Sequence, residues 1–179
     1  MQSAPTVMAE PSRKPSPDNP IRETDDEARA LARQLMADAQ FAAVAVLEPE
    51  TGMPLVSRVA VAVEADGSPF VLASDLSGHS KALAHDGRAS LLFGEPGSKG
   101  DPLTHPRVTV IGRIEKLDRN DPQHAARREF WLKKHPKAKL YVDFGDFHFW
   151  RMQVERANLN GGFGKAYELT ANDLKQADA

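Results

Sequence analysis

The chain has 179 residues, which is enough for one domain with a substantial hydrophobic core. Its formal net charge of −2 excludes the basic field that draws proteins to nucleic acid or anionic membranes. The absence of cysteine excludes disulfides, thiolate metal sites and a cysteine nucleophile. Because the apolar runs are too short to span a bilayer and the first residues do not form a secretory signal, we expect a cytoplasmic protein with no membrane or nucleic-acid partner.

The composition divides the chain into a tail and a domain. Residues 1–20 are rich in proline and serine and show no periodicity, which predicts a disordered N-terminal tail. Residues 21–179 are expected to form a single domain. Its first element is a predicted helix, because Thr24 and Glu27 have the spacing of a capping box and apolar residues then recur at helical intervals.

Short apolar runs separated by turn signals predict a succession of strands. These strands are expected at residues 41–48, 55–64, 69–75, 88–95 and 107–118, and in the segment FHFWRMQVERANLN before a glycine turn and a last strand. Helices are predicted around residues 78–86 and in the segment NDPQHAARREFWLKKHP, where Asn120 or Asp121 is the expected N-cap and Pro122 lies in the first turn. Strands in hairpin succession with inserted helices predict an antiparallel barrel with helical additions.

The segment GHSKA, residues 78–82, allows two interpretations. It approaches the G-x-S-x-G elbow of serine hydrolases, but three residues separate it from the strand and Ala82 stands where the sharp turn normally has glycine. Alternatively, Ser77 caps a helix whose first N–H groups form an anion site, with the Ser80 hydroxyl and the Lys81 ammonium group beside them. A lysine in the first turn opposes the helix dipole unless an anion lies nearby, so we favour the anion site.

A second cation, Arg58, lies inside the otherwise apolar strand segment VSRVAVAV. An arginine there either reaches solvent or pairs with a bound group, and its guanidinium can grip a phosphate through two parallel hydrogen bonds. Arg58 and Lys81 taken singly are also consistent with solvated surface charges.

Together these segments resemble the FMN-binding split barrels related to pyridoxamine 5'-phosphate oxidase. The resemblance runs from about residue 25 to residue 118 through SRVAVAV, LASDLSGHSKALAHDGRASLLF and RVTVIGRIEKL. It implies a mainly β (α+β) fold, an antiparallel six-stranded split β-barrel with flanking helices, and a homodimer with FMN at the subunit interface. The cofactor contacts that it implies are Arg58, Ser80 and Lys81 at the phosphate with His79 beside them, Val59 and Ala60 through their backbone, and Ser74, Asp75 and Arg107 at the ring system.

The C-terminal segment FWRMQVERANLNGGFGKAYEL resembles instead the haem-utilisation branch of the same superfamily, the HugZ type. Longer members of that branch continue into a C-terminal extension, and this chain ends at Ala179, so a haem ligand carried by that extension is not expected here. The favoured prediction is an FMN-dependent oxidoreductase of unassigned substrate. A haem-binding or haem-degrading protein and a non-catalytic flavin carrier remain open, and no catalytic acid or base is predicted.

Two other patterns yield no separate function. The segment NGGFGKA, residues 160–166, lacks the spacing of a phosphate-binding P-loop, so it is either a hairpin turn or a place where backbone closely approaches a flavin or a partner subunit. The six histidines show no ligand spacing, and no metal site is predicted.

Overall fold

The computed structural model describes residues 20–176, so that nearly all of the predicted tail lies outside the described residues. The strands are β1 (Ile21–Arg22), β2 (Phe41–Leu47), β3 (Pro54–Val63), β4 (Pro69–Ser74), β5 (Arg88–Phe93), β6 (Arg107–Lys116), β7 (Phe147–Asn160) and β8 (Ala166–Thr170). The helices are α1 (Asp26–Asp38), α2 (Gly78–His85) and α3 (His124–Lys134), with 3-10 turns at Pro102–Thr104, Pro136–Leu140 and Ala171–Leu174. No helix within the described range is long and apolar enough to cross a membrane.

Six strands close into an antiparallel barrel. The order around it is β7-β4-β3-β2-β5-β6, and the pairing of β6 with β7 completes the circle. The free edge of β7 beyond β4 pairs with β8, which in turn holds the short parallel strand β1. The predicted mainly β (α+β) class and the six-stranded split β-barrel with flanking helices are therefore confirmed.

Two helices cover the ends of the barrel and a third covers part of its side. Helix α1 contributes Ala28, Ala32 and Met36 to the barrel core, at the end where β2 starts and β7 finishes. Helix α2 follows β4 and lies at the opposite end, where β4 and β6 finish. We call these the α1 end and the α2 end. Helix α3 packs outside the barrel, with Trp131 buried against Phe149 and other aromatic rings.

Two predicted helix caps were wrong, because tertiary contacts and turn geometry decide the boundaries. The cap of α1 is Asp25, which accepts a hydrogen bond from Ala28 N at 2.7 Å, while the Thr24 hydroxyl donates to a β8 carbonyl instead. Helix α3 begins only at His124, since Asp121 forms a turn by accepting the N–H of Gln123. The predicted cap of α2, Ser77, is confirmed.

An arginine network attaches α3 to the turn between β3 and β4. The side chain of Arg127 is only 4% exposed and donates to Glu64 at 2.7 Å and to Asp121 at 3.3 Å. Arg151 of β7 donates to the other oxygen of Glu64 at 2.6 Å. The buried guanidinium of Arg127 requires these carboxylate partners, because an unpaired charge in the interior is destabilising.

The stability of the fold should fall in mild acid because of buried histidines. Burial lowers the pKa of His135 below its ordinary value of 6.5. Its ring also packs at a tilted angle against Trp131 and forms a 2.9 Å hydrogen bond with the Val61 carbonyl. Because the unfolded chain takes up this proton first, the stability present above pH 6.5 is lost as the pH falls through the lower folded pKa.

We therefore expect a smaller free energy of unfolding at pH 5.5 than at pH 7.5, measured by urea denaturation. His135→Gln should reduce that difference, whereas His85→Gln, on the exposed last turn of α2, should not. An unchanged pH dependence in the His135→Gln protein would contradict this interpretation.

Candidate functional site

The start of α2 forms an anion-compatible turn. Ser77 adopts extended backbone angles, and its hydroxyl oxygen accepts the Ser80 N–H at 3.2 Å. Gly78 follows Ser77, and a Cβ placed on it would be in ordinary van der Waals contact with Leu55, at 3.6 Å. The capping bond uses one of the N–H groups at the helix start, and the others point out of the helix toward a potential anion.

The three side chains at this helix start differ in accessibility. Ser80 is 2% exposed and its hydroxyl accepts from Ser77 Oγ at 2.8 Å, whereas Lys81 is exposed to solvent. His79 is half-buried, and burial lowers the pKa of its imidazole below 6.5, so the ring is neutral at pH 7. Lys81 is therefore available to an anion as it stands, while Ser80 supports Ser77 from inside the protein. Among residues 20–176 no histidine forms a hydrogen bond with the Ser80 hydroxyl, which argues against a serine nucleophile.

Arg58, Val59 and Ala60 lie in the middle of β3. The side chain of Val59 points into the barrel core and that of Arg58 points outward, with its guanidinium 4.8 Å from the centre of the Phe41 ring. Within residues 20–176, Arg58 and Lys81 form no ion pair with any carboxylate. Both cations can therefore take an external anion without breaking an internal pair.

Ser74 and Asp75, at the end of β4, are held by neighbouring strands. The Ser74 hydroxyl donates to the Asp146 carboxylate. Both oxygens of Asp75 accept from Lys116 Nζ, at 2.8 and 2.7 Å. His148 Nδ1 lies 3.3 Å from the same carboxylate, although the approach is not aligned for a hydrogen bond. The Asp75 charge is thus balanced locally at the rim of the α2 end.

Arg107 lies far from Ser74 and Asp75 in the same chain. It begins β6, whereas Lys116, the partner of Asp75, ends that ten-residue strand. Ten strand residues span on the order of 30 Å. The guanidinium of Arg107 donates hydrogen bonds to the carbonyls of Leu103, at 2.9 Å, and His105, at 3.3 Å. One ring system cannot contact both Arg107 and Asp75 of a single chain.

Arg58 and Arg107 share one outer surface, formed by β2, β3, β5 and β6, which we call the outer wall. The register places Arg58 opposite Ala43, Ala43 opposite Leu92, and Leu92 opposite Thr109. This wall carries small side chains such as Ala43 and Thr109 between larger ones, and Leu92 is 42% exposed on it. A cavity of about 420 Å³ opens on the wall toward the α2 end. The residues that line this cavity include Ser90, Ile111, Arg88, Arg113 and Arg156.

Sequence reasoning missed Lys116, His148 and Asp146, which hold Ser74 and Asp75. No local signal marks them, because they reach the site only through the pairing of β7 with both β4 and β6. No group of three or more His, Cys, Asp or Glu side chains within the described residues is arranged to hold a metal ion. The arrangement is suited to binding an anion next to a flat surface.

Comparisons with known proteins agree with this geometry. The chloroplastic haem oxygenase HOZ of Arabidopsis thaliana is 37% identical over 118 residues, which make up 65% of this chain but only 34% of that protein. The solved structure of a haem-binding protein from Mycobacterium smegmatis superposes with a TM-score of 0.76 at 32% identity, covering 88% of this chain and 63% of that one. The chain thus spans about a third of the plant protein and less than two thirds of the mycobacterial one.

A third comparison concerns the fold alone. A protein of the pyridoxinephosphate oxidase family from Clostridium acetobutylicum superposes with a TM-score of 0.64 at 16% identity, covering 84% of this chain and 99% of that one. The resemblance to the split barrels related to pyridoxamine 5'-phosphate oxidase, on their HugZ-type side, is confirmed. The model of the CREG β-barrel family matches residues 23–175. The chain belongs to the CREG β-barrel family.

Proposed function

We propose that this protein binds haem at an interface between two copies of itself, as a haem-binding or haem-degrading protein. The observation that carries the proposal is a pair of cations without an ion pair inside residues 20–176, Arg58 on the outer wall and Lys81 at the start of α2. Two of the proteins above 30% identity to this chain are named for haem. Haem is a planar apolar ring with two propionates, so it fits a flat surface bordered by cations. When bound, haem would supply iron-centred chemistry.

The chain's own residues would bind and orient the ligand. Arg58 and Lys81 would receive its anionic groups, and the exposed N–H groups at the start of α2 would add to this attraction. His79 stands in the same turn with a neutral imidazole, the form that can donate electron density to a metal. The ion pair between Lys116 and Asp75 would keep the neighbouring carboxylate from repelling the ligand.

A second subunit is part of this proposal. Arg107 can join Asp75 and the start of α2 only if it comes from another protomer, because it lies at the opposite end of β6. The outer wall also carries exposed apolar side chains, Val56 and Leu92 among them, which a second copy would cover. Such a homodimer is expected to have two equivalent sites related by a twofold axis.

FMN is the second candidate, and the arginine-led strand and Ser-x-Lys turn favour it. Its phosphate would use the same two cations, and its flavin ring would supply electron transfer, as in an oxidoreductase of unassigned substrate or a non-catalytic flavin carrier. Haem ranks first because two proteins named for haem are 37% and 32% identical to this chain, whereas the pyridoxinephosphate oxidase family protein is 16% identical.

Absorption spectroscopy decides between these ligands. Purified protein is titrated with haemin and, separately, with FMN, and each mixture is passed through gel filtration with sedimentation analysis of the eluted species. The proposal predicts a Soret band that stays with a dimer at one haemin per protomer. Retention of FMN with no retained haemin would transfer the assignment to a flavoprotein. Retention of neither would refute the proposed function.

A further inference from the structure

The turn between β7 and β8, residues 161–165, is closed by hydrogen bonds and presents one aromatic side chain. Gly162 and Gly164 adopt positive φ angles of 113° and 66°, which close the turn. Gly161 N donates to the Lys165 carbonyl at 2.7 Å, and Lys165 N donates to the Gly162 carbonyl at 3.1 Å. We call this segment the glycine turn. Its backbone is closed by these hydrogen bonds, and Phe163 lies at its tip.

Phe163 is 96% exposed, the highest exposure of any large apolar side chain in the described part of the chain. The backbone of the turn packs against the rest of the protein, although the Phe163 side chain does not. Gly162 lies against the loop that precedes β6, since a Cβ on it would be 3.3 Å from the Thr104 carbonyl oxygen. The exposed phenyl ring is therefore available for a contact with another molecule.

The glycine turn lies beside Arg107 at the α1 end. Arg107 pairs with Asn160, the last residue before the turn, and its guanidinium contacts the Leu103 carbonyl, one residue before Thr104. Phe163 and Arg107 therefore lie near each other at the α1 end of the same protomer. Any arrangement of two copies that brings Arg107 of one protomer to the α2 start of the other also brings Phe163 there.

We propose that Phe163 of one protomer covers a face of the planar anionic ligand that Lys81 and Arg58 of the other protomer bind. This inference rests on the proposed function and adds to it a ligand-contacting residue supplied from across the interface. The phenyl ring would stack on the ligand or contact its edge and exclude water from it, while Arg107 beside it would supply a further positive charge. The shared chemistry is a flat aromatic ring with anionic groups, as in haem and in FMN.

The test compares wild-type protein with Phe163→Ala and Phe163→Trp in titrations with haemin and with FMN. Removing a stacked aromatic ring is expected to weaken binding of the wild type's ligand by roughly 5- to 100-fold. Phe163→Trp should retain most of the affinity, because it keeps an aromatic face. Leu140→Ala is the matched control, since Leu140 is 79% exposed on a 3-10 turn that follows α3. Sedimentation equilibrium measures the dimer in every variant.

The outcomes separate this inference from the function on which it rests. Weaker binding in Phe163→Ala, with an unchanged dimer and recovery in Phe163→Trp, supports the contact with the ligand. Wild-type affinity in Phe163→Ala overturns the inference alone and leaves the proposed function in place. A loss that disappears when protein concentration restores the dimer also overturns it, since Phe163 would then contact protein. If the wild type binds neither ligand, the proposed function and the inference fail together.

Discussion

The double variant Arg58→Ala/Lys81→Ala is expected to bind haemin at least about 100-fold more weakly than the wild type. Hydrogen bonds to charged groups contribute about 1.5–3 kcal/mol each, and every 1.4 kcal/mol is a tenfold change in affinity. Each single variant should therefore lose about tenfold or more. The measurement is a haemin titration followed at the Soret band, with FMN titrated in parallel by fluorescence quenching.

The matched control for this variant removes two positive charges elsewhere. Lys133→Ala/Lys175→Ala changes two exposed lysines, one on α3 and one after the last 3-10 turn, and so alters the net charge equally. This control should bind within about twofold of the wild type, because distant solvent-exposed charges are screened. Equal losses in the two double variants would show that net charge, and not the α2 start, attracts the ligand.

Arg127→Ala is expected to lower the free energy of unfolding by about 3 kcal/mol. Removing one partner of a buried ion pair typically costs about 3–5 kcal/mol, and the lower value applies because Arg151 continues to pair with Glu64. The variant also loses the packing of the arginine stem beneath α3. Urea denaturation gives the free energy, and Arg127→Met, which restores most of the apolar stem, should recover part of the loss.

The control for this prediction is an exposed ion pair on the same helix. Lys133 pairs with Glu129 at 2.9 Å, and both side chains are at least 70% exposed. Lys133→Ala should therefore cost less than about 0.5 kcal/mol. An Arg127→Ala protein as stable as the Lys133→Ala protein would mean that the network does not attach α3 to the barrel.

The barrel could be predicted from sequence because its signals are local. Alternating apolar runs gave β7 its bounds, residues 147–160, and the positive φ angles at Gly162 and Gly164 confirm the hairpin turn. Helix caps were harder to predict from the sequence, because a threonine such as Thr24 can donate a hydrogen bond to a distant carbonyl instead of capping its own helix. The parallel strand β1 carried no pattern at all, since only two residues pair with β8.

The candidate site could be predicted only in part. Ser77, Ser80 and Lys81 follow one another along the chain, so their arrangement at a helix start was readable from the sequence. The separation of Arg107 from Asp75 was not, because it depends on which ends of the strands meet in the barrel. The burial of Ser80, at 2% exposure, was equally hidden, since it results from the docking of α2 on the core.

The central claim is that each site takes Arg107 from one protomer and Lys81 from the other, and mixed dimers test it most directly. Lys81→Ala and Arg107→Ala chains are co-expressed with different affinity tags, and the dimer carrying both tags is isolated and titrated with haemin. The account predicts one site of wild-type affinity per mixed dimer, because one site then holds both substitutions and the other holds none. A mixed dimer with no site of wild-type affinity would show that both residues act within one chain and would contradict the account.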